Sequence, residues 1–132
     1  MAGIITSTGK GIAIDRTFLA VPTKLSPTQF KVGTGTTAPT IADTDLETAI
    51  AIDGGSQFLK DFITGFPTVD LVNNQATTRM FLNTLEANGN DLTEVGCFNE
   101  DGSPVMFSRT VFPVVSKTNL IEVTFIEKDL IL

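Results

Sequence analysis

The stretch LTEVGCFNEDGSPVMFSRTVF, residues 92–112, is two strand-length runs either side of Asn99-Glu100-Asp101-Gly102. Such a stretch commits a chain to an antiparallel hairpin, because Asn, Asp and Gly supply the backbone angles that a short reversal needs. On this reading Gly102 takes the left-handed position that closes the loop. Pro113 and Ser116–Asn119 are expected to end the second run. LIEVTFIEKDLIL then alternates, with Ile121, Val123 and Phe125 on one face and Glu122, Thr124 and Ile126 on the other.

Earlier segments are shorter and less regular. Residues 8–20 space Ile12, Ile14, Phe18 and Leu19 as a short amphipathic helix or a frayed strand would, and helix is the preferred reading. Thr28–Gly35 alternates through Phe30 and Val32 and reads as a strand that ends at Gly33. Residues 37–47 read as loop with one helical turn near Asp43–Glu47, and 48–53 alternates again through Ile50 and Ile52. Phe58, Phe62 and Phe66 stand four apart, as in a helix, whereas Thr64, Gly65 and Pro67 argue for strand or turn. Asn73–Asn74 marks a second hairpin between 68–72 and 76–87. Several short strands with turns between them predict a mainly β fold, an antiparallel β-sandwich or barrel-like domain with a short N-terminal helix. One domain is expected over 1–132, with 1–27 as an arm or helix and 28–132 as the β domain.

Composition narrows the function. There are ten Phe but no Trp, Tyr or His among the 132 residues. Without Trp or Tyr a glycan-stacking face is disfavoured; without His there is no Ser-His-Asp triad and no base for Cys97. Cys97 reads as a small buried hydrophobe. A net charge of −6 with no basic stripe argues against nucleic acid and anionic membrane surfaces. No export signal or membrane span is expected.

Two loops invite a chemical reading. Gly33-Thr34-Gly35-Thr36-Thr37 lacks the lysine of a phosphate-binding loop and the third glycine of a dinucleotide fingerprint, so it reads as a turn steering the strand out of the sheet. Asp43, Asp45 and Glu47 alternate as at the start of a calcium loop, but Thr48 and Gly54 stand where such a loop needs its glycine and its bidentate glutamate. Acidic caps of a helical turn are the preferred reading. The fifteen acids lie mostly in turn-like runs such as Asn99–Asp101 and Glu127–Asp129, and none is expected to be buried. No catalytic, cofactor-binding or metal-binding residue is assigned, and no small-molecule substrate.

FKVGTGTTAPTIADTDLET and LTEVGCFNEDGSPVMFSRTVFPVVSKTNLIEVTF resemble recurring segments of small bacteriophage virion proteins and of tail-fibre or collar amino-terminal domains. In that pattern a strand delivers a Gly-Thr-Gly turn, a Thr/Pro/Asp loop follows, and a Gly-containing turn precedes Phe-Ser-Arg and a final alternating strand. Glu94, Gly96, Phe98, Gly102, Phe107, Ser108 and Arg109 fall on it; Cys97 stands where Leu is usual. The resemblance covers residues 28–52 and 92–126. It implies a non-enzymatic virion protein assembled in a host bacterial cytoplasm, with itself and other virion proteins as partners. A tail adaptor (collar, baseplate or fibre attachment) is the first expectation and a capsid cement protein the alternative, since no shaft or receptor-binding tip follows. The structural turns are then Gly33, Gly35, Pro39, Gly96 and Gly102. The candidate subunit contacts are Ile4, Ile5, Thr34, Thr36, Leu130, Ile131 and Leu132.

Overall fold

The computed structural model describes residues 3–130. In chain order its elements are β1 (Ile4–Ile5), α1 (Ser7–Phe18), β2 (Pro27–Gly33), β3 (Lys60–Asp61), β4 (Thr68–Asp70), β5 (Gln75–Leu82), β6 (Asn90–Asn99), β7 (Met106–Lys117) and β8 (Val123–Leu130). One sheet has five strands in the order β1-β7-β6-β2-β3, the other three in the order β4-β5-β8, and every pairing is antiparallel. The inner faces share one core: Phe30, Val32, Leu92 and Val95 from the first sheet meet Met80, Leu82 and Phe125 from the second. The domain is therefore an antiparallel β-sandwich with one short helix, and the described residues form no closed barrel. No helix among them is long and apolar enough to cross a membrane.

β6 is the centre. It lies between β7 and β2, and Leu92–Asn99 are all buried. One face looks into the sandwich. The other carries Glu94, Gly96 and Phe98 and is covered by the loop that follows β2, where Leu46 packs on Phe98 and Met106 as a second small core. Gly96 is a strand residue rather than a turn: a Cβ there would lie 2.9 Å from Leu46 Cδ2, so glycine lets the loop come down on the sheet.

Several expectations need correction. No helical turn forms near Asp43–Glu47; residues 41–48 are turns and bends held by side chains. The alternation at 48–53 yields one bridge, Gly33 to Ala49, with Ile52 buried, because the segment returns to the sheet only at its edge. Phe58, Phe62 and Phe66 straddle the two-residue β3 and a turn with Gly65 at φ +92°, so the four-residue spacing was not helical. Gly102 is not left-handed; those glycines are Gly54, Gly65 and Gly89. The buried Asn99 side chain shapes the β6–β7 loop instead, accepting from Val105 N at 2.8 Å and donating to Leu25 O and Asp101 Oδ2. Pro113 does not end its strand. It lies inside β7, opposite the register shift between Leu92 and Glu94, where the ladder needs no donor from it.

α1 begins at Thr6, whose hydroxyl oxygen accepts from Gly9 N at 3.1 Å. Gly9 rests against the Phe107 carbonyl of β7, with no room for a Cβ. Beyond the helix, Asp15 accepts from Thr23 and Lys24 and Arg16 donates to Lys24 O, which ties the non-helical residues 19–25 back to it.

Candidate functional site

Three features stand out: a buried ion network under the Gly-Thr-Gly loop, a buried pair of acids between the sheets, and two surface grooves that meet at Phe107.

Glu94 is fully buried on the loop-covered face of β6. Its Oε1 accepts from the backbone N–H of Gly35 (3.1 Å) and Thr48 (2.8 Å), and its Oε2 from Glu47 N–H (3.1 Å) and Arg109 Nε (2.8 Å). Arg109, from the neighbouring β7, also donates from Nη1 to Asp43 Oδ2 at 3.0 Å. Thr93 Oγ1 closes the cradle by donating to Gly35 O. The glycine-rich loop therefore does wrap an anion, and the anion is the protein's own. A Cβ at Gly33 would strike Glu94 Oε1 and the Thr48 carbonyl; at Gly35 it would lie 2.5 Å from Glu47 Cβ and 2.7 Å from Glu94 Oε1. Both glycines let the backbone approach a buried carboxylate. Gly33 does so as the last residue of β2, and Gly35 from the start of the loop.

The three acids of the calcium-like run go separate ways. Hydrogen bonds from the Thr40 backbone N–H and hydroxyl, together with Arg109, hold the Asp43 carboxyl below its usual range. Asp45 pairs with Lys31 at 3.1 Å, and Lys31 also lies over the Phe98 ring. The Thr37 hydroxyl, with the N–H groups of Thr36 and Thr37, lowers the Glu47 carboxyl. They fasten the loop at three points and form no common ligand set.

On the inner face the expectation that no acid is buried fails. Glu127 and Asp129 follow Phe125 on the inward side of β8 and are 0% and 3% exposed. Ser108 and Thr110 of β7 face them: Ser108 Oγ lies 3.2 Å from Glu127 Oε1 and 3.1 Å from Asp129 Oδ2, and Thr110 Oγ1 lies 2.9 Å from Glu127 Oε1. Burial first, and then the charge of Asp129, push the Glu127 carboxyl up to about 8. Burial also raises Asp129. Cys97 completes the group from β6; burial and the two acids push its thiol well above the usual range.

The surface carries the third feature. A groove of about 560 Å³ is walled by Ile4, Ile5, Ile14, Ile41, Phe107 and Leu130. Phe107 also lines a second groove of about 570 Å³, under the β4–β5 hairpin and floored by Asp129. At the tip of that hairpin Leu71 and Val72 are 84% and 91% exposed. Ile4, Ile5 and Leu130, nominated separately from the two ends of the sequence, thus meet at one place. β8 pairs with β5 of its own sheet up to Leu130. Thr34 is half-buried and Thr36 exposed in the loop over β6, away from these walls, and Pro39 lies in the same loop ahead of the turn at Ile41–Ala42. Ile131 and Leu132 lie outside the described residues.

Sequence reasoning missed Glu94, Arg109, Glu127 and Asp129 as buried groups. The signal for the last two was available: counting by twos inward from Phe125 reaches 127 and 129. Comparison with family models, with curated proteins and with solved structures found no match to this chain.

Proposed function

We propose that this chain is a non-enzymatic structural subunit of a bacteriophage virion, a tail-associated adaptor that self-assembles and binds neighbouring virion proteins. The observation that carries this reading is the apolar surface running across the two grooves that meet at Phe107, flanked by the exposed Leu71 and Val72. Surfaces of that kind mark places where another protein is bound. A ring or collar also needs a stiff subunit, and the loop locked over β6 by Glu94 and Arg109 supplies a third layer that cannot lift without exposing a charge pair. The resemblance of residues 28–52 and 92–126 to phage tail and collar domains points the same way.

The test has two parts. Sedimentation of the purified protein should give a discrete oligomer, and Leu71→Asp with Ile14→Asp should return it to monomer with unchanged circular dichroism. Labelling a tagged copy on purified particles should place it at the tail or neck. Label spread over the head would replace the adaptor by a capsid cement protein; a monomer absent from particles would sink both.

A further inference from the structure

The group between the sheets has the make-up of a cation site. Cys97 Sγ and one oxygen each from Glu127 and Asp129 lie within 4.8 Å of one another, and all three residues are buried. They come from two strands of different sheets, β6 and β8. Two of the acid oxygens, Glu127 Oε2 and Asp129 Oδ1, are buried with no hydrogen-bond partner outside the acid pair, so without a cation the two carboxyls have only a shared proton to bridge them. Leaving such atoms bare is costly, more so for a charged group.

Proton counting sharpens the point. Ser108 has one hydroxyl hydrogen and two carboxylate oxygens within reach, at 3.1 and 3.2 Å, so it satisfies only one of them as donor. Thr110 donates to the same Glu127 oxygen, Oε1, and the Gly3 backbone N–H donates to Asp129. Among the described residues no basic side chain bonds to either acid. Arg109 sits between Ser108 and Thr110 on β7, and its guanidinium is spent on Glu94 and Asp43 at the opposite face of the sheet. Lys128 sits on the exposed side of β8.

From this the geometry points to a structural divalent-cation site, made by Cys97, Glu127 and Asp129, that clips the two sheets together. A thiolate beside two carboxylates suits a borderline ion of the Zn²⁺ type and disfavours Ca²⁺ and Mg²⁺, which take oxygen ligands alone. Other marks of a metal site are present. Ser108 and Thr110 hydrogen-bond the carboxylates, as orienting groups do. A cavity of about 90 Å³ touches both Cys97 and Asp129, and Asp129 also floors the open groove under the β4–β5 hairpin, which gives an ion a way in. This inference is independent of the assembly reading and stands or falls without it.

The test uses the full chain, refolded from urea with Zn²⁺ or Co²⁺ so that burial does not block entry, then desalted. We expect about one metal per chain by mass spectrometry, and a sulfur-to-cobalt charge-transfer band in the near ultraviolet with Co²⁺. Cys97→Ser should abolish that band and weaken Zn²⁺ at least tenfold. Glu127→Gln with Asp129→Asn, whose amides are neutral and similar in size, should weaken it by as much or more while keeping the wild-type circular dichroism. Zn²⁺ should raise the urea midpoint of the wild type and leave that of the double variant where it is. Sub-stoichiometric metal after refolding overturns the proposal, as does metal binding that the variants leave unchanged or that Ca²⁺ matches.

Discussion

Glu94→Gln keeps the volume of the side chain and removes one charge and one acceptor. The four donors around the carboxylate divide into two pairs: Gly35 and Thr48 on Oε1, Glu47 and Arg109 on Oε2. Whichever way the amide turns, its NH₂ meets one pair donor to donor, and two buried donors lose their acceptor. Each such loss costs about 1–3 kcal/mol. Arg109 keeps only Asp43 as a charged partner, and the Asp43 side chain is partly exposed. Breaking a buried pair from one side costs about 3–5 kcal/mol, and because the same atoms are involved in both counts, that figure is the expected total. Against a typical stability of about 5–15 kcal/mol this is a large fraction. At roughly 3–5 °C per kcal/mol for a domain of this length, Tm should fall by about 10–25 °C. Thermal melting followed by circular dichroism measures it. Glu100→Gln is the control: Glu100 is exposed and among the described residues its side chain bonds Thr28 alone, so its change should stay within about 0.5 kcal/mol. If the two variants shift the midpoint equally, the loop is not held by Glu94 and the account of the Gly-Thr-Gly segment is wrong.

Three further outcomes follow from the same structure. Gly35→Ala should cost about 1–3 kcal/mol by overpacking against Glu47 and Glu94, seen as a lower urea midpoint. Gly11→Ala should do the reverse: a Cβ there meets nothing within 4 Å and the residue is mid-helix, so thermal melting should show a gain of about 0.5–1 kcal/mol. In EDTA-treated protein, stability should fall as pH rises from about 4.5, where an unfolded glutamate ionises, to about 8, where Glu127 ionises in the fold. The sign follows because the unfolded chain gives up this proton first, so alkali favours it; Glu127→Gln should flatten the slope, and an unchanged slope removes Glu127 as its source.

How far the sequence could be read depends on what holds each part. β6, β7 and β8 declare themselves because a strand's period and a turn's residues are local properties, and so does the β4–β5 hairpin at Asn73–Asn74. The segment 34–66 does not, because its shape is set by Glu94, Arg109 and Leu46 contacts that no window of neighbouring residues contains. Charge misled at both polar centres. Glu94 stands in an otherwise apolar run, and Glu127 and Asp129 in a run that looks solvated, yet the strand period puts all three where the backbone sends them. The grooves at Phe107 were half legible: the apolar residues near each end were visible, their meeting was not.

The attachment of β1 and α1 has a consequence for how the molecule is made. Both hold chiefly to β7, and Thr6 and its partner Phe107 are 101 positions apart. At a synthesis rate of about 5–20 residues per second, the segment waits roughly 5–20 s before the strand it needs has left the ribosome. A helix of 12 residues does not persist alone for that time in water. A segment translated about a hundred residues before β7 is thus among the last to be secured, and until β7 arrives Ile12, buried in the finished fold, is in the keeping of whatever meets the nascent chain.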